Sequence, residues 1–150
     1  MSEDCIFCAI VAGQAEASFI GTTARAVAFL DILPVAEGHA LVIPRRHVVG
    51  LAGLEDAEGA EMFQLARHIA TCQRDLGLAE GVNLFFADGE VAGQEVFHAH
   101  LHVLARRRTD GMRLEVDYPQ PPDRRQLDET AARLRSSLPQ PFQHLDADAR

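Results

Sequence analysis

Apolar residues along the chain fall into short blocks in its first third and middle. They follow a longer period at two places. The runs Ala26-Val27-Ala28-Phe29-Leu30-Asp31-Ile32 and Ala40-Leu41-Val42-Ile43-Pro44 are brief, apolar and bounded by Gly, Pro or polar residues. Both predict strands, with Gly38 suited to the turn between them. A further strand is expected near 19–21. Residues 3–11 are apolar-rich and predict one or two helical turns. Over 56–75, Met62, Leu65, Ala66, Ile69 and Cys72 recur at helical spacing, which predicts a long amphipathic helix. Gly77 stands where a C-cap belongs. Val82-Asn83-Leu84-Phe85-Phe86 predicts a strand, Asp88-Gly89 a turn, and 97–104 another strand. Strands that do not alternate with helices favour a mostly antiparallel sheet of about five strands with helices on one side, an α+β fold. Past Asp110-Gly111 the composition shifts. Pro119, Pro121 and Pro122 interrupt the chain, and Asp123 is a good N-cap for a helix over 123–138 carrying Leu127, Ala131, Leu134 and Leu138 on one face. This gives one domain over 1–138, with its core at about 5–108, and a tail over 139–150.

Length and charge narrow the classes. At 150 residues and 16.4 kDa the chain suits a single domain with its own core. No apolar run reaches the roughly 20 residues of a membrane span. The acidic start Met1-Ser2-Glu3-Asp4 is unlike a secretory signal, so a cytoplasmic protein is expected. The net charge of −8 argues against nucleic-acid or membrane partners, both polyanions. It leaves room for a small anion in a local basic pocket, to which Arg45-Arg46 and Arg106-Arg107-Arg108 could contribute if they are more than solvated strand ends. All 14 basic residues are Arg, which excludes a catalytic or phosphate-binding Lys.

The candidate chemistry lies in histidine and cysteine. Three of the seven histidines fall in His98-Ala99-His100-Leu101-His102. On a strand all three rings share one face, with Ala99, Leu101 and Val103 on the other. Such a face fits a polar edge, a metal site or a histidine nucleophile with neighbours that orient it or hold phosphate. Cys5 and Cys8 form a C-x-x-C that fits a redox pair, two unrelated thiols or half of a tetrahedral zinc site. Cys72 is expected in the core, and His68 and His144 on the surface.

The stretch Gly93-Gln94-Glu95-Val96-Phe97-His98-Ala99-His100-Leu101-His102-Val103-Leu104 resembles the signature of the histidine triad (HIT) family. Phe29-Leu30-Asp31-Ile32, Gly38-His39-Ala40-Leu41-Val42-Ile43-Pro44 and Cys5-Ile6-Phe7-Cys8 with Ile10 resemble its upstream segments in order, so the similarity spans about 5–108. The resemblance implies a HIT-like fold, a homodimer sharing one sheet, and cleavage at the α-phosphorus of a nucleotide through a nucleotidyl-histidine intermediate. A purine nucleotide is the expected partner, with an AMP-like product. His100 matches the nucleophile, its other nitrogen held by a backbone carbonyl. His102 and the pocket residue His39 match donors to the α-phosphate, Gln94 a phosphate or leaving-group contact, and Asp31 the ribose ligand, with a turn role as its alternative. Ile6, Phe7, Ile10 and Phe29 match the base pocket, or else pack in the core. His98, the first of the triad, is counted with the catalytic set and also with the metal set. Zinc-containing bacterial members imply a closed structural site made by Cys5, Cys8, His47 and His98.

Two positions depart from better-known branches. Glu95 replaces a Ser, and either acts as a general acid or faces solvent. Ala87 replaces an amide. The leaving group therefore stays open between phosphoramidates and dinucleoside polyphosphates. A nucleotidyl transferase and a non-catalytic nucleotide-binding adaptor are the alternatives to a hydrolase.

Overall fold

The computed structural model describes residues 5–113, 120–140, 142 and 143. The acidic start at 1–4, His144 and most of the expected tail lie outside them. The chain divides into two compact units, Met1–Gly111 and Met112–Arg150.

In the first unit the order is α1 (Ile6–Val11), β1 (Phe19–Thr22), β2 (Ala26–Leu30), β3 (Ala40–Pro44), α2 (Asp56–Asp75), β4 (Gly81–Phe86) and β5 (Leu101–Arg106). The strands form one sheet in the order β1-β2-β3-β5-β4, and every neighbouring pair is antiparallel. The α+β architecture expected from the sequence is the one observed. Both faces of β2 and β3 are covered, which is why these strands read as continuous apolar runs rather than alternating ones.

Even-numbered residues of the two strands, Ala26, Ala28, Ala40 and Val42, meet Met62, Ala66, Ile69 and Ala70 of α2. The small side chains let the helix lie close to the sheet. Odd-numbered residues, Val27, Phe29, Leu41 and Ile43, pack with Phe7 and Ile10 of α1. The expectation of helices on one side is thus corrected: α1 caps the second face. It was missed because six residues carry too little periodicity to assign a side.

A reciprocal capping box between Glu55 and Glu58 starts α2, and Gly77, at φ +69°, follows its C-cap Leu76. Cys72, expected in the core, is exposed. At about 100° per residue it falls well round the helix from its neighbour Gln73, which occupies the inner stripe instead and is 4% exposed.

The strand expected over 97–104 begins only at Leu101. The β3–β5 register pairs Val42 with Leu101 and, continued, would set Pro44 against Ala99. Pro44 has no N–H to give a ladder. The backbone therefore bends instead: His98 N–H donates to Val96 O at 2.8 Å and Ala99 N–H to Val48 O at 2.6 Å.

In the second unit α3 (Arg124–Ser137) starts at Asp123, whose carboxylate accepts from Gln126 N while the Gln126 side chain accepts from Asp123 N. None of its residues is buried.

Gly59, in the first turns of α2, has open space where a Cβ would stand. Gly59→Ala is expected to stabilise the protein by about 0.4–1 kcal/mol through helix propensity and a less flexible unfolded chain, read as a higher urea midpoint.

Candidate active site

The site lies on the α1 face of the sheet, at its centre. Leu41 of β3 is opposite His102 of β5. His39, two residues before Leu41, projects to the same side. His39 Nε2 and His102 Nδ1 are 2.9 Å apart. Asp31 Oδ2 stands 3.5 Å from the same His39 nitrogen. Val35 N–H donates to His39 Nδ1 at 3.4 Å. These contacts assign the protons. His39 accepts on Nδ1, so Nε2 carries hydrogen and donates to His102 Nδ1. His102 must then carry its proton on Nε2.

His100 is fixed differently. Its Nδ1 donates to the carbonyl oxygen of His98 at 2.7 Å. In the neutral ring this leaves the Nε2 lone pair available, and the ring lies 4.9 Å from His102 between centroids. Phe7 meets His100 edge-on at 5.4 Å and His98 at 5.8 Å, so α1 packs both rings in place. The three triad rings therefore do not form one stripe. His100 and His102 face the site, and His98, ahead of the ladder, turns to a separate cluster.

That cluster is Cys5, Cys8, His47 and His98, whose donor atoms all lie within 4.8 Å of one another. His98 Nε2 donates to Pro44 O at 2.9 Å, which frees Nδ1 for the thiols. Nδ1 is 3.5 Å from Cys5 Sγ and 3.7 Å from Cys8 Sγ, and His47 Nδ1 is 3.3 Å from Cys8 Sγ. Zinc bonds of about 2.3 Å to sulfur and 2.05 Å to nitrogen, at a tetrahedral angle, require S···N of about 3.6 Å. The four residues fit that ion.

Burial holds three of the rings neutral. It pushes His102 down to about 4, with the neighbouring His100 and His39 adding to the effect. It also lowers His98, and lowers His39 against the opposing pull of Asp31.

The other expected residues divide. Phe7, Ile10 and Phe29 are buried in the α1 core and so pack beneath the site, while Ile6 is exposed. One Asp31 oxygen accepts from Leu33 N at 2.9 Å, the turn role, and the other faces His39. The Gln94 amide is spent on the loop: Oε1 accepts from Gly89 N at 2.8 Å, and Nε2 donates to Val49 O at 2.7 Å and Val96 O at 3.1 Å. Here it shapes the segment leading to the triad rather than pointing outward. Glu95 is exposed. Arg46, expected at most to attract phosphate, clamps buried Glu58 through two nitrogens at 3.0 and 2.6 Å, which holds the residue next to His47. Hydrophobic periodicity gave no sign of Glu58 or Gln73 as buried polar residues. Their only sequence mark was a polar residue falling on the inner stripe of α2.

Residues 12–109 match the model of the HIT domain. The chain is 40% identical over 142 residues to an uncharacterised HIT-like protein of Mycobacterium tuberculosis, covering 91% of this chain and 94% of that one. It is 36% identical over 102 residues to the adenosine 5′-monophosphoramidase of Schizosaccharomyces pombe, covering 68% and 74%. Among solved structures, a HIT family protein from Bacillus anthracis superposes with a TM-score of 0.86 at 33% identity, covering 93% of this chain and all of that one. A zinc-bound histidine triad family protein from Mycobacterium smegmatis does so at 0.70 and 38% identity, covering 92% and 100%. The chain belongs to the HIT family, whose members process nucleotides as hydrolases or transferases.

Folding depends on pH through these rings. An ordinary histidine titrates at 6.5, whereas folded His102 does so at about 4. Between those values the unfolded chain takes up a proton that the folded ring refuses, so stability falls as pH drops through this window and levels off below it. Thermal melts from pH 7 to 4 are expected to show that fall, and His102→Asn a shallower one.

Proposed function

We propose that the protein hydrolyses a nucleotide at its α-phosphorus, through a nucleotidyl intermediate on His100, and releases a nucleoside monophosphate. One observation carries the reading: His100 is held by Nδ1 on a backbone carbonyl, which turns Nε2 away from that bond beside His102. A neutral imidazole attacks phosphorus without first losing a proton, and its N–P bond is labile enough to turn over. His100 Nε2 forms the bond to the α-phosphorus as the bond to the leaving group breaks. Water then attacks the same phosphorus and His100 departs. His102 Nε2–H donates to an α-phosphate oxygen, where negative charge grows, and His39 holds His102 in the donating tautomer. The free side of Asp31 takes a ribose hydroxyl, and exposed Ile6 lies against a purine base. The phosphoramidase name of the yeast relative favours an adenosine phosphoramidate among the substrates.

Zinc is held by Cys5, Cys8, His47 and His98. It supplies a cross-link between the N-terminal segment and the residue that carries the His100 acceptor. Four protein ligands leave no position for substrate. Thiol ligands need a reducing compartment, in keeping with a cytoplasmic protein. β4 ends the sheet on one side, and a second copy joins there to make the homodimer.

Two experiments test this. A product assay pairs wild type with His100→Asn on adenosine phosphoramidate, dinucleoside polyphosphates and nucleotide sugars. The variant is expected to lose at least about 10³-fold in kcat while keeping its fold and its nucleotide binding. Substantial residual turnover contradicts the nucleophile, and binding without turnover in both proteins favours an adaptor. Cys5→Ala with Cys8→Ala is expected to remove zinc and lower the melting temperature. Unchanged metal content in the double variant disproves the ligand set.

A further inference from the structure

The site residues lie on the α1 face, but one buried side chain reaches them from the α2 face through the backbone. Gln73 stands in the last turns of α2 and is 4% exposed. Its Nε2 donates to Gly38 O at 2.8 Å and to Val103 O at 3.2 Å. Gly38 immediately precedes His39, and Val103 immediately follows His102. The amide thus grips the backbone on either side of the two hydrogen-bonded rings.

The glutamine satisfies two backbone carbonyls but is only half satisfied itself. Its Oε1 is buried with no partner among the described residues. Turning the amide over would set that oxygen against two carbonyl oxygens. An apolar side chain of similar shape would remove that orphan but would withdraw the donor that meets Gly38 O and Val103 O. The grip also supplies what the sheet lacks. β3 and β5 share three register pairs, against five between β2 and β3 and six between β4 and β5. His39 lies one residue outside that short ladder, and its backbone is bonded to Ala36 O and Asp31 N–H rather than to β5. Gly38 itself is held at φ +80°, a conformation other residues avoid, and a Cβ there would stand 3.2 Å from Leu78 Cδ1.

We propose that Gln73 is a positioning residue for the His39–His102 pair, clamping the chain at Gly38 and Val103 so that His39 keeps His102 as a donor toward phosphate. The kinetic part of this rests on the proposed hydrolysis. The geometric part does not.

The test compares wild type with Gln73→Met, which keeps the shape and removes both donors. Ile69→Val, in the same helix stripe, serves as a control for lost stability alone. Turnover of adenosine phosphoramidate is measured together with long-range ¹H–¹⁵N spectra of the imidazoles. Gln73→Met is expected to lower kcat at least about 10-fold with KM within about three-fold, and to lose the single-tautomer pattern of His39 and His102. Ile69→Val is expected to melt earlier with both readouts unchanged. Wild-type kcat in Gln73→Met, or lowered kcat with an unaltered imidazole pattern, overturns the proposal. If wild type itself turns over no nucleotide, the hydrolase reading fails and the spectra alone decide the clamp: an unaltered pattern refutes it. If Gln73→Met does not fold, Gln73→Asn, which keeps a neutral amide but draws it back by one methylene from both carbonyls, is read by the same criteria.

Discussion

The 2.7 Å hydrogen bond from His100 Nδ1 to the carbonyl oxygen of His98 joins two groups of side chains that Phe7 also packs against. On one side of it is the cluster of Cys5, Cys8, His47 and the His98 ring. On the other is the His100 ring, the proposed nucleophile. His98 serves both because its backbone has left the ladder. Pro44 ends the β3–β5 pairing by lacking an N–H, and its carbonyl accepts from His98 Nε2. That second bond points Nδ1 of His98 at the thiols. A single proline thus sets where the strand stops, which way the first triad ring turns, and which carbonyl meets the second.

The electrostatics follow from burial. A chain with a net charge of −8 must attract an anionic substrate locally, against its own average field. In the proposed function the site does this with neutral N–H donors rather than stacked cations. Desolvation lowers His39, His98 and His102, so the hydrogen bonds between rings choose which nitrogen donates. The order runs from Val35 N–H to His39, from His39 to His102, and from His102 outward. In a dry pocket a fixed N–H dipole stabilises growing charge without having to reorient during the reaction.

What the sequence made legible depends on whether a feature is local. β3 and α2 were readable to the residue, since an apolar run ending at Pro44 and a 3.6-residue period are local signals. The triad, the C-x-x-C and the upstream segments were enough to identify the family. What failed was set by pairing between distant segments. The strand over 97–104 looked continuous, but a strand exists only where it has a partner, and the sequence does not show that Pro44 lies across from Ala99. Cys72 and Gln73 are neighbours, and the apolar residue seemed the better core candidate. The polar one is inside because two carbonyls wait there. Phe7 takes the core packing that was one of its two readings, and the Gln94 amide is bonded within its loop.

The central claim is that His100 carries the nucleotide during turnover. The most direct measurement is acid-free quenching of the enzyme in mid-reaction with a nucleotide labelled at the α-phosphorus, followed by mapping of the labelled peptide. The account predicts label on the peptide containing His100, stable in alkali and lost in acid as a phosphorus–nitrogen bond is. Label at another residue, or turnover with no labelled protein at any time point, would contradict it.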